Sequence, residues 1–314
     1  METFINILTF VLTGAVTAGT PILFATLGEI LTEKVGNLNL GVEGMMLMGA
    51  IMGFSVSLTT QNPVLGIAAG LIAGAAGAFI FAFLTITLRA NQVVSGLSLT
   101  IFGTGFTSFF GQKLAGQSLS QTVRASFVPV KIPLLGDIPV IGEAFFNQNI
   151  LVYVGYLLAI VLGIYLFRTR KGLNLRVVGE NPGAADTAGI NVTAYKYIHI
   201  LLGGALCGFG GTYMSLVTVP SWQEGITSGR GWIAVALVIF VTWSPLKAMV
   251  GAYFFGALSI LGLYLQSYVP IPQSIFDMLP YLATIVVLVA ISMKKSKENC
   301  PPESLSVPYF REER

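Results

Sequence analysis

Nine apolar runs, each near the length a helix needs to cross a bilayer, divide this sequence and leave few folds open to it. A spanning helix takes about 20 residues, and the runs fall at 4–27, 40–60, 64–88, 93–112, 150–167, 197–217, 232–243, 247–268 and 278–293. Within lipid, a segment must satisfy its own backbone polar groups, which makes each run a helix. The run at 232–243 is short and reads as a half-span or as part of its neighbour, so eight to ten crossings fit. Charged residues are only 10% of the 314 positions and hydrophobic ones 54%, against about 25% charged in a soluble domain. Too little charge remains to cover a water-facing exterior. The expectation is an all-α integral membrane protein, a polytopic bundle of about nine transmembrane helices.

Sidedness follows from Lys and Arg in the connections. With the N-terminus outside, the cytoplasm receives Lys34, Arg89, Arg168, Arg170, Lys171, Arg176, Lys196, Lys247, Lys294, Lys295, Lys297, Arg311 and Arg314. The outside receives Lys113, Arg124, Lys131 and Arg230. That is 13 against 4 of the 17 basic residues, which predicts N-out and C-in. Residues 1–293 then form the transmembrane domain, with a cytoplasmic loop at 168–196, and 294–314 form a polar, disordered cytoplasmic tail. The outside segment 113–149, with Pro129, Pro133 and Pro139, is too broken to span. No basic n-region precedes the first run, which reads as a retained span rather than a cleaved signal.

Gly66, Gly70 and Gly74, Gly49 and Gly53, and Gly204 and Gly208 each recur at four-residue spacing. Small residues on one helical face let backbones approach closely, so these read as helix–helix contacts. Cys207 in an apolar run and Cys300 in the tail imply no disulfide framework. The net charge of +3, without basic tracts interleaved with aromatics, gives no sign of nucleic acid binding. No His/Asp/Glu cluster suggests a metal and no cofactor motif is present. The run Gly111 to Ser118 approaches a phosphate loop, but Gln117 stands where the lysine must be.

The most informative stretch lies in the 168–196 loop and reads Val178-Gly179-Glu180-Asn181-Pro182-Gly183-Ala184-Ala185-Asp186-Thr187-Ala188-Gly189. Asn181 is a good N-cap, Pro182 suits the first helical position and Gly189 suits C′. The prediction is a helix of about two turns with small side chains, a smooth knob for a partner's groove.

Ala184-Ala185, three residues, then Gly189 resembles the EAA-type loop of ABC importer permeases. The string continuing into Ile190-Asn191-Val192 is similar to the variant in permeases for branched-chain amino acids, simple sugars and nucleosides. The stretch from Gly28 through Asn37-Leu38-Asn39-Leu40-Gly41-Val42-Glu43-Gly44 resembles the nucleoside-type members. One departure is that the Glu of the general pattern would fall at Gly183; neither Glu180 nor Asp186 is given its role. The resemblance implies that Gly179, Glu180, Asn181, Pro182, Ala184, Ala185, Asp186 and Gly189 couple to a cytoplasmic ABC ATPase subunit. It also implies a second permease chain in a heterodimer, an extracytoplasmic solute-binding lipoprotein, and a multi-pass place in a bacterial inner (plasma) membrane. The protein itself would be no enzyme, and the solute a nucleoside, or else a simple sugar or branched-chain amino acid.

Other polar residues admit two readings. Asn91, Gln92, Ser95 and Ser98 open the fourth run and are candidates for the path of a neutral, hydroxylated solute. Glu29 and Glu33, with Lys34 nearby, lie where mutual neutralisation is expected, and with Glu43 at the start of the second span they read as structural pairing on the cytoplasmic side, a gate or proton role being the other reading. His199 beside Tyr195 reads as packed. Trp222 and Trp232 read as interfacial anchors, with binding-protein docking the other reading. An ion-driven carrier would need more ionisable groups in mid-span than the sequence has.

Overall fold

The computed structural model describes residues 2–266, 272, 275–276, 278–292 and 301–312. Its long helices are α1 (Glu2–Lys34), α2 (Val42–Thr60), α3 (Pro63–Ala82), α4 (Gln92–Gly111), α7 (Ile150–Arg168), α10 (Val192–Tyr213) and α12 (Pro245–Gln266). Among the described residues these seven, with π-helical extensions of α3 and α10, are long and apolar enough to cross a membrane. The run at 232–243 is a half-length helix, α11 (Arg230–Phe240), and the last run holds α13 (Leu279–Ser292). Four of the spans begin at an asparagine whose side chain accepts from the otherwise orphaned N–H groups of the first turn. Asn62 does so for Val64 and Leu65, Asn91 for Val94, Asn149 for Leu151 and Val152, and Asn191 for Ala194.

The glycine series meet one another at the centre of the bundle. A Cβ on Gly49 or Gly74 would fall onto the backbone of Gly208, and one on Gly70 onto Thr212. Helices α2, α3 and α10 therefore touch along their backbones, with Thr212 Oγ1 donating to Gly49 O at 3.0 Å. Substituting Gly208 with leucine should push α3 and α10 apart and cost about 3 kcal/mol or more. A drop in the melting temperature of the detergent-solubilised protein is the readout, and an unchanged value would contradict this packing.

Two connections fold back into the bundle instead of staying at its ends. After Lys34 the chain turns inward, and Asn39 N–H donates to Glu29 Oε1 at 3.0 Å. The start of α2 packs on the middle of α4, with Gly44 against Leu99, Thr100 and Gly103. Met46 lies against Gly210 and Gly211, level with Phe24. Phe24 is ten residues along α1 from Lys34, about 15 Å of helix, which puts Glu43 about 10–15 Å inside that end. From the opposite end, residues 219–229 descend to the same depth and α11 starts there, against Glu43.

Glu43 thus sits at mid-height rather than at the bundle end expected of it. Its Oε1 accepts from Thr227 Oγ1 (2.5 Å) and Gly229 N (2.9 Å), and its Oε2 from Gly231 N (2.6 Å). The carboxylate caps the positive end of α11. Glu33 also has a partner other than the one expected: Trp243 Nε1 donates to its Oε2 at 2.6 Å, and Lys34 lies over the same indole. Trp222, read as an interfacial anchor, is 3% exposed and packs on Phe54.

The 113–149 segment is a small cap over the far end, holding α5 (Gln121–Ala125), the pair β1 (Val130–Lys131) and β2 (Asn147–Gln148), and α6 (Ile141–Phe146). Ser118 bridges to Ser221, and Ser120 bonds Gln61, so this cap and the start of the second inward segment share one end. Lys131 pairs with Asp137 and holds its carboxyl below the ordinary range.

Candidate functional site

The 168–196 connection holds two helices, α8 (Arg170–Glu180) and α9 (Pro182–Thr187). Helix α9 lies where the sequence predicts it, and α8 stands where a plain polar loop is expected. Thr169, whose Oγ1 accepts from Gly172 N at 3.0 Å, was the N-cap signal that marked α8. In α9, Asn181 Oδ1 accepts from Ala184 N at 2.9 Å and Pro182 occupies the first turn. Its far end closes with Ile190 N donating to Ala185 O and Gly189 N to Asp186 O, both at 3.0 Å, around Gly189 at φ +80°. This paired pattern with a left-handed glycine is a Schellman stop.

Burial divides α9 into two faces. Ala185 is fully buried, while Ala184, Thr187, Ala188 and Gly189 are exposed. The free face therefore carries only small side chains, and a Cβ on Gly189 would meet nothing. Beneath it, α8 rests directly on the end of α1, where Gly179 is so close to Lys34 O that no side chain fits. Through α8, the small helix α9 is thus joined to the end of the first span.

The tail departs from the disorder expected of it. Residues 301–312 are placed, while Lys294, Lys295, Lys297, Cys300 and Arg314 lie outside the described residues. Ser304 donates to Gly179 O through both N (3.1 Å) and Oγ (2.5 Å), and Glu303 N donates to Glu180 Oε2 at 3.2 Å. Asp186 accepts from Tyr309 Oη at 2.8 Å and from Arg311 Nε at 3.1 Å, and Arg89 stacks on Phe310 at 3.8 Å. Neither Glu180 nor Asp186 points free toward a partner; both hold the tail. The sequence signal for this docking is the aromatic pair Tyr309-Phe310 in an otherwise charged tail.

The polar residues that open α4 do not converge. Asn91 caps the helix, Gln92 Oε1 accepts from Leu38 N at 2.7 Å, Ser95 is buried and Ser98 is exposed. His199 is packed, accepting from Tyr165 Oη at 2.7 Å and donating to Tyr195 O at 2.7 Å.

Comparison with known proteins fits this arrangement. Residues 5–288 match the family model described as branched-chain amino acid transport system / permease component. TsgC13 of Haloferax volcanii, provisionally named a glucose ABC transporter permease protein, is 41% identical over 96% of this chain and 97% of its own. The guanosine ABC transporter permease protein NupQ of Bacillus subtilis is 34% identical over 99% of both. The nucleoside ABC transporter permease protein NupC of Lactococcus lactis subsp. cremoris is 35% identical over 90% of this chain and 92% of its own. Bacillus subtilis also has a more distant relative, the guanosine ABC transporter permease protein NupP, 22% identical over 87% of this chain and 79% of its own. With seven helices among the described residues long and apolar enough to span, and a capped, small-faced loop helix, the chain belongs to the branched-chain amino acid transport system / permease component family and is the multi-pass membrane permease subunit of an ABC importer, with no ATPase activity of its own.

Proposed function

We propose that this permease imports a hydroxylated, neutral solute of the nucleoside class, driven by an ATPase subunit that docks on α9. The observation that carries the coupling role is the exposed small-residue face of α9, seated through α8 on the end of the first span. The excess of basic residues on the loops at this end makes it cytoplasmic, with N-out and C-in. An extracytoplasmic binding lipoprotein delivers the solute, and a second permease completes the path. The pair of guanosine permease proteins in Bacillus subtilis supports a heterodimer. Of the polar residues on α4, exposed Ser98 suits a path between two permease chains, whereas buried Gln92 supports the inward segment.

A specific observation also favours a sugar: the relative named for glucose is 41% identical, above the 34% of the guanosine permease protein. Vesicles reconstituted with both permeases, the ATPase and the binding protein should take up labelled guanosine in preference to glucose. The reverse preference would overturn the nucleoside assignment and leave the coupling role standing. For that role, a cysteine at Ala184 in a background lacking Cys207 and Cys300 should react with an impermeant maleimide in inverted vesicles. It should stay unlabelled in intact cells. Labelling from outside would remove any contact with an ATPase.

A further inference from the structure

Beside the coupling loop, at the N-terminus of α10, lies a cavity of about 420 Å³ whose wall includes Thr85, Arg89, Asp186, Val192, Lys196 and Arg311. Lys196 is the anomaly in it. This residue is only 3% exposed, and among the described residues its ammonium has neither a hydrogen bond nor an ion pair. A buried cation without a counter-charge is costly to keep. Arg89 and Arg311 add two further cations, and among the described lining residues the one carboxylate, Asp186, already accepts from Tyr309 and Arg311.

The backbone adds to the same field. Asn191 takes up the Ala194 N–H through its side chain and the Tyr195 N–H through its carbonyl. The Val192 and Thr193 N–H groups are left at the positive end of a 22-residue helix, an arrangement that favours anions. Three cations around one helix N-terminus, only one of them paired with a carboxylate among the described residues, suit a compact anion with several acceptor oxygens. We infer that this cavity binds a phosphate group, with Lys196 as the buried ligand and Arg89 and Arg311 at the rim.

The phosphate has two sources within reach. The wall takes Thr85, Ile86 and Arg89 from the end of the third span, next in sequence to the exposed apolar Leu88, so a lipid headgroup can enter from the membrane edge. It also faces solvent, so a dissolved phosphate ester can enter. Either way the occupant would bridge α10, the loop after α3 and the tail, because Tyr309 and Arg311 form part of the wall. The site stands on these residues alone and does not need α9 to be the ATPase dock.

The test uses the full-length chain in phosphatidylcholine nanodiscs at matched ionic strength. One arm titrates inorganic phosphate against chloride and follows the melting temperature. A second arm adds phosphatidylglycerol without phosphate and counts retained anionic lipid by native mass spectrometry. Stabilisation by phosphate in phosphatidylcholine alone supports the site with a soluble occupant; stabilisation only by phosphatidylglycerol supports it with a lipid occupant. Lys196→Met should weaken binding at least about tenfold and, without any anion, should melt no lower than the wild type, since it removes an uncompensated buried charge. A wild type that responds to neither probe overturns the proposal, and so does a Lys196→Met variant that responds as the wild type does. Should that variant fail to fold, Arg89→Gln at the exposed rim decides instead: weakened binding supports the site and unchanged affinity overturns it.

Discussion

Substituting Ala185 with proline should bring ATP-driven uptake down to background while the protein still inserts in the membrane at normal abundance. The Ala185 N–H donates to Asn181 O at 3.0 Å. A proline there removes that bond and drives its ring against the same carbonyl, at a cost of about 3 kcal/mol or more. About 3 kcal/mol shifts an equilibrium roughly a hundredfold, more than a helix of six residues can absorb. The spans carry their own backbone bonds and are untouched. The ATPase subunit should therefore hydrolyse ATP without moving solute, or fail to stay bound. Ala184→Trp is the companion variant: Ala184 is exposed, so the indole leaves the fold intact and obstructs only the docking face. Uptake at wild-type rates in both variants would end the coupling role of α9.

Removing the Glu43 carboxylate should strongly destabilise the bundle where its two inward segments meet. Its two oxygens accept from Thr227, Gly229 and Gly231, of which Thr227 and Gly231 are buried and have no water to turn to. Each orphaned donor costs about 1–3 kcal/mol, so Glu43→Ala should lose about 3 kcal/mol or more. Glu43→Gln should do little better, because an amide has one acceptor oxygen and its NH2 would face a backbone N–H. Melting of the detergent-solubilised protein reads the loss, and uptake should fall with it because α11 is no longer anchored at mid-height. If Glu43→Gln melts with the wild type, the carboxylate does not organise the two inward segments.

The placement of the spans was written in local chemistry. Apolar length gave the helices, the asparagines at 62, 91, 149 and 191 marked four starts, and Asn181-Pro182 with Gly189 bounded α9 within a residue. The glycine series at 49, 70, 74 and 208 announced close packing, though not which helices would meet. Each of these signals acts over one or two turns, so a single chain displays them in full.

Only the tertiary structure decided what is joined across long separations. Glu43 meets Gly231 across 188 positions, and Ser304 meets Gly179 across 125. Nothing near Glu43 in the chain announces that a second segment will come down to it, so its place near a span boundary made it look peripheral. For the same reason Arg230 counted as an outside charge, although Gly229 and Gly231 on either side of it bond Glu43 at mid-height. The run at 232–243 is short because its helix begins inside the bundle, with a carboxylate in place of the missing outer turns. The tail reads as disordered because its own composition cannot build a core; residues 301–312 find their partners on α8, α9 and Arg89. Periodicity and caps report what a segment does with its own neighbours; burial of a charge is settled by which distant donors the fold brings to it.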